Sequence, residues 1–226
     1  MFVIVCGDSY CSADMSANRQ HFSQILTDSY GFKVVNYAQP GCSQIAISFQ
    51  IKKAIEQRPN VIIYNRTFPD RVEVPIKSKS KFYNRLDDFL YHDAAMENFS
   101  NMYNKDSSMA SIPLTNLDVL DKTHVDNDTI TALQMYTTNL FNWHLKFEID
   151  AWIFDYWSNR IQNNNIVGIS LAPETEIGTT LYEFTKNNRD YPTVYHTDSA
   201  TQQKVADMIN KRINRELINN NVFDKS

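Results

Sequence analysis

The chain opens on an unbroken apolar run, Phe2-Val3-Ile4-Val5-Cys6, short and β-branched, which reads as a buried strand. Residues 17–30 then carry Phe22, Ile25 and Leu26 at helical spacing and stop at Gly31, a helix-ending residue. Residues 32–37 predict a second strand. Residues 43–57 predict a helix with Ile47, Ile51 and Ile55 on one face, closed by Arg58-Pro59. Val61-Ile62-Ile63-Tyr64 predicts a third strand. Strands separated by single helices imply right-handed crossovers and a parallel sheet.

From residue 67 to 128 that pattern is lost. Tyr, Phe, Asn and Met are scattered through a polar stretch with no clean period. It predicts a mostly helical insertion of loops and short helices over the sheet, a lid in placement, within a single domain spanning 1–226. Its aromatics (Phe82, Tyr83, Phe89, Tyr91, Phe99, Tyr103) either line a cleft or pin the insertion to the body. Helical spacing returns over 128–163, through Leu133, Tyr136, Leu140, Leu145, Ile149, Trp152, Tyr156 and Ile161, as one bent helix or two. Its tryptophans, Trp143, Trp152 and Trp157, fit packing or contact with a neighbouring subunit, so a homo-oligomer formed through this aromatic helix is a candidate assembly. Residues 166–171 predict a fourth strand, 176–185 a short helix, 191–195 a brief edge strand or loop, and 200–218 a closing helix. The expected fold class is α/β: a three-layer α/β/α, flavodoxin-like sheet of four to five parallel strands.

Composition narrows the function classes. The 226 residues suffice for a sizeable core, and the apolar and charged fractions, 42% and 21%, are those of an ordinary soluble globular protein. A formal net charge of −4 argues against nucleic acid as the partner, because phosphate binding needs a basic surface. The Lys77-Ser78-Lys79-Ser80-Lys81 run fits a solvated loop. No apolar stretch approaches the roughly 20 residues of a membrane span, and the N-terminal run is too short for a signal-peptide core. Cys6, Cys11 and Cys42 are odd in number and lack metal-ligand spacing, so neither a disulfide framework, a zinc site nor another cofactor is expected. The picture is of a reduced, cytoplasmic product.

Chemistry enters at Gly7-Asp8-Ser9, directly after the first strand, at the carboxyl edge where open α/β sheets place their ligand crevice. A serine hydroxyl is a weak nucleophile at neutral pH and needs a base. His196 stands between the last predicted strand and the last helix, in a loop that a parallel sheet brings to the same edge, and histidine titrates near neutrality. His21 and His144 fall in predicted helices, His92 and His124 in the insertion. The amide of Gly41, after the second strand, and of Ser9 itself, with the side chain of Asn65 after the third, could face a developing oxyanion. Each also has a plain structural reading: Gly41 as a tight turn, Asn65 as a strand-end cap.

These residues resemble the SGNH (GDSL-type) hydrolase superfamily over most of the chain. Gly7-Asp8-Ser9 matches its nucleophile block, Gly41 its glycine donor, Asn65 its asparagine, and His196-Thr197-Asp198-Ser199 its final histidine block. The long aromatic helix after a polar insertion also resembles SGNH-like proteins of tailed bacteriophages. The resemblance implies a serine esterase working by acyl transfer on a small or acetylated, carbohydrate-borne ester. A phage origin would place it in the virion or the host cell. Two departures stand out. The third block reads Tyr64-Asn65-Arg66-Thr67, with Thr67 and Asp70 as alternatives for the asparagine's place. Thr193 occupies the position of the aspartate that orients the histidine, leaving Asp190 and Asp198 as substitutes. A second expectation is therefore a catalytically degenerate SGNH-type fold that binds or assembles.

Overall fold

A computed structural model describes residues 1–13, 20–77, 107–114, 125–187 and 198–223. Four parallel strands form the main sheet: β1 (Phe2–Cys6), β2 (Lys33–Asn36), β3 (Val61–Tyr64) and, after a long excursion, β6 (Val167–Ser170), in the order β2-β1-β3-β6. The register aligns Ile4 with Val35 and Ile62, and Ile63 with Ile169. The fold is thus α/β, with β1 interior and the strand order of flavodoxin-like sheets.

The alternation of side chains across the sheet explains its layers. Val3, Val5, Val61, Ile63 and Ile169 face α1 (Phe22–Asp28), α5 (Glu176–Asn187) and α6 (Ser199–Phe223), burying Phe22, Leu26, Leu181, Val205 and Ile209. Ile4, Cys6, Ile62 and Tyr64 face α2 (Gln44–Glu56) and α4 (Trp143–Asn163), burying Ile47, Ile51, Phe154 and Ile161. Both faces are covered, which is why the strands read as continuous apolar runs rather than alternating ones.

The helical pattern over 128–163 resolves into two helices, α3 (Asn127–Asn139) and α4. The break follows from capping: Asp126 Oδ1 accepts from the Thr129 amide at 2.7 Å to start α3, and Asn142 Oδ1 accepts from Leu145 at 3.0 Å to start α4. The described part of the insertion differs from the helical expectation. It contains an antiparallel ribbon, β4 (Arg71–Lys77) paired with β5 (Ser107–Pro113). Val74, Ile76, Ala110 and Ile112 bury one face of the ribbon against Val125 and the inner side of α3. The signal was present as period-2 apolar residues at Val72, Val74 and Ile76. Glu73 completes that alternation, but Pro75 argues against a strand and the partner strand is serine-rich; a two-stranded ribbon tolerates Pro75 because it has open edges. The insertion's aromatics and residues 191–195 lie outside the described residues.

Candidate active site

β1 delivers Gly7-Asp8-Ser9 to the carboxyl edge of the sheet, flanked by the loops that follow β2 and β3. The turn is held from within. Asp8 is fully buried, and its Oδ1 accepts from the Tyr10 amide at 3.0 Å and from Asn65 Nδ2 at 2.8 Å. Its Oδ2 accepts from Thr67 Oγ1 at 2.8 Å and from Arg71 Nη1 at 2.9 Å. The Asp8 carbonyl closes the turn by accepting from Cys11 and Ser12 at 3.0 and 2.9 Å. Before it, Gly7 is clasped by Gln50 of α2, whose Oε1 accepts from the Gly7 amide at 2.6 Å. Such a carboxylate, with four donors of which one is a guanidinium, is the arrangement under which a buried charge is tolerated. Ser9 is left half-buried at the rim.

The other sequence candidates are placed unequally. Gly41 has φ +82°, so its glycine is required by the backbone, and among the described residues no acceptor takes its amide. Asn65 is fully buried with both amide atoms engaged by Asp8, its Oδ1 accepting from the Asp8 amide at 3.2 Å. Here its observed bonds hold the Ser9 turn. Asp198 caps α6, accepting from the Thr201 amide at 2.7 Å. One turn on, Gln202 Oε1 accepts from the Phe22 amide at 2.8 Å, tying the start of α6 to the start of α1 at the carboxyl edge. His196 and Asp190 lie outside the described residues.

Three residues important to this geometry were not singled out from sequence: Arg71, Gln50 and Glu73; Thr67, an alternative for the asparagine's place, is found bonded to Asp8. Arg71 carries no motif, and only the fold of the ribbon brings it to Asp8. Glu73, two residues along β4 on the same side as Arg71, accepts from the Ser43 hydroxyl at the N-cap of α2. Burial pushes its carboxyl up to about 7, only partly offset by a hydrogen bond from its own backbone and by the nearby Lys146. Lys146 itself pairs with the buried Asp150 at 2.6 Å. His21 is also not an ordinary helical residue: it is buried at the N-cap of α1, and its Nδ1 accepts from the Ser23 amide at 3.2 Å. Burial lowers its pKa to about 4.

These two groups titrate in opposite senses. Between about 4.5 and 7 the folded chain keeps the Glu73 proton while the unfolded chain has lost it, so this group's contribution to stability falls as pH rises. Between 6.5 and about 4 the unfolded chain protonates His21 and the folded chain does not, so this contribution falls as pH drops. Each slope is on the order of 1 kcal/mol per pH unit, and across the overlapping window they oppose. Glu73→Gln should leave stability rising with pH from 4.5 to 6.5, and His21→Gln should leave it falling. Urea unfolding at three pH values checks this; superimposable profiles for both variants and the parent would refute it.

The three cysteines are free and buried, and burial raises the Cys6 and Cys11 thiols well above their ordinary range. Neither of these two is disposed to act as a thiolate. Among the described residues, no group of three or more His, Cys, Asp and Glu could hold a metal ion, and no helix is long and apolar enough to cross a membrane. A cavity of about 390 Å³ opens beside β6, lined by Ser170, Glu176, Met208, Lys211 and Arg215; Ser9 and Gly41 are not among its walls.

No protein-family model matches the chain, and no curated protein matches it. Among solved structures, it is similar to a candidate lipolytic protein of the G-D-S-L family from Desulfitobacterium hafniense DCB-2, with a TM-score of 0.37 and 11% identity over 93% of this chain and 98% of that one.

Proposed function

We propose that the chain is an SGNH-type serine esterase acting on a small or acetylated ester, with Ser9 as nucleophile and His196 as base. The observation that supports it most is the Ser9 turn itself. A half-buried hydroxyl stands at the carboxyl end of an interior strand, on a turn fixed by a fully buried, fully bonded aspartate. Ser9 Oγ attacks the acyl carbon as its proton passes to the His196 imidazole. The carbonyl oxygen becomes an oxyanion facing the amides of Gly41 and Ser9. Collapse expels the alcohol, which takes the proton from His196; water then repeats the attack and releases the acid. His196 enters on its sequence position, two residues before the Asp198 cap of α6. In this reading Asn65 serves through Asp8, and an acetylated bacterial surface glycan is a substrate of the right class.

The test is a fluorophosphonate probe read by intact mass on the parent, Ser9→Ala and His196→Ala. One adduct on the parent and none on either folded variant is expected. An unlabelled, folded parent overturns the reading. That result would favour the degenerate binding protein, for which one observation speaks. α3 and α4 expose Met135, Leu140, Trp143, Leu145, Trp152 and Tyr156, an apolar surface of the kind that takes a partner or a second copy.

A further inference from the structure

Arg71 touches two separate loops of the candidate site, and it reaches them from the ribbon, outside the main sheet. Nη1 donates to Asp8 Oδ2 and to the Cys42 carbonyl, both at 2.9 Å. Asp8 precedes Ser9 in the turn after β1; Cys42 follows Gly41 in the loop after β2. The nucleophile and the amide expected to face the oxyanion are therefore each one residue from an acceptor of the same nitrogen. Thr67, the other side chain on Asp8 Oδ2, donates its hydroxyl to Asp8 alone. Gln50 also joins the loops, through Gly7 and a weak 3.4 Å contact to Cys42 Sγ, but on the core side.

Arg71 is a costly residue to bury. It is buried, yet its Nε has no hydrogen-bond partner among the described residues. A buried ion pair with an unsatisfied donor is a costly way to fill space, and a well-packed apolar pair is often no less stable. Such an imperfection points toward a requirement other than stability. Glu73, two residues on, grips Ser43 in the same loop, so the base of the ribbon engages this segment twice.

We propose that Arg71 is a positioning residue that sets the separation of the Ser9 turn and the Gly41 loop. The inference rests on the esterase reading for its catalytic consequence but not for its structural one. Misplacement of reacting groups by about 1 Å can cost on the order of 10²-fold in rate. Both bonds leave Nη1, whose two N–H directions are fixed by the guanidinium plane; lysine keeps the charge but is a point donor on a flexible stem and does not fix those directions.

The experiment compares the parent, Arg71→Lys and Thr67→Val at a temperature where all are folded. Thr67→Val removes a donor from the same carboxylate oxygen without touching the Cys42 loop. With the fluorophosphonate probe, Arg71→Lys should lower the limiting labelling rate by about 10²-fold while leaving the half-saturating probe concentration within about twofold. Thr67→Val, which loosens the Ser9 turn alone, should cost less than about tenfold in rate and leave the half-saturating concentration within about twofold. In parallel, amide hydrogen exchange should quicken in segments 7–13 and 37–44 together for Arg71→Lys, and in 7–13 alone for Thr67→Val. Equal labelling rates for the two variants, or unchanged exchange at 37–44 in Arg71→Lys, overturns the inference. If the folded parent is unlabelled, the esterase reading fails by itself and the exchange arm still decides whether Arg71 joins the loops.

Discussion

Asp8→Ala is expected to lose about 3–5 kcal/mol of folding stability, a large share of the roughly 5–15 kcal/mol that a domain has to lose. The side chain is fully buried and accepts from Arg71, Thr67, Asn65 and the Tyr10 amide. Truncation strands all four donors at once. The unpaired guanidinium dominates, since a buried charge without its partner costs several kcal/mol, whereas each neutral donor costs about 1–3 kcal/mol and can recruit water into the space vacated. Asp8→Asn separates these effects. It keeps the volume and one acceptor oxygen but presents an NH2 group where donors converge, so it should recover only a minor part of the loss. Urea unfolding supplies the midpoint and slope. A loss below about 1 kcal/mol for Asp8→Ala would mean that solvent already screens the pair, contrary to the burial of both side chains.

Much of this architecture is legible from residues that act locally. β3 is buried at every position and β1 at every position but Phe2, so hydrophobicity alone announces them. α2 begins at Ser43, whose hydroxyl accepts from the Ala46 amide, a cap that sequence displays. The Ser9 turn is legible for the same reason: glycine, aspartate and serine follow a strand directly. What escapes is non-local. Arg71 stands 63 positions from Asp8 and Glu73 stands 30 from Ser43. Neither belongs to a pattern with a period, and each matters only because the ribbon folds back on the loops. Asn65 is legible as a residue, but its bonds to Asp8 are not. Sequence placed an amide after β3, whereas its direction, toward Asp8, is set by packing.

Gly7→Ala should be nearly as damaging as loss of Asp8, and by a different route. Gly7 has φ +154°, and a Cβ there would stand 2.2 Å from Asn65 Oδ1 and 2.8 Å from both Cβ and Sγ of Cys11. Cys11 is fully buried, and Asn65 is fastened to Asp8, so neither neighbour can give way cheaply. Overpacking a tight site costs about 1–3 kcal/mol, and a disfavoured backbone angle adds about 1–3 kcal/mol. A total on the order of 3 kcal/mol is expected. Gly31→Ala isolates the backbone part: its φ is +69°, but nothing lies within 4 Å of the added carbon, so it should cost about 1 kcal/mol. The two variants also part on chemistry. Relief of the Gly7 clash has to move Asn65 or the turn that carries Ser9, so fluorophosphonate labelling should slow in Gly7→Ala even where the chain is fully folded. In Gly31→Ala, at the end of α1, it should not. Equal midpoints and equal labelling for both would show that the turn yields to an extra methyl group, and that Asp8 does not fix Ser9 as firmly as its bonds imply.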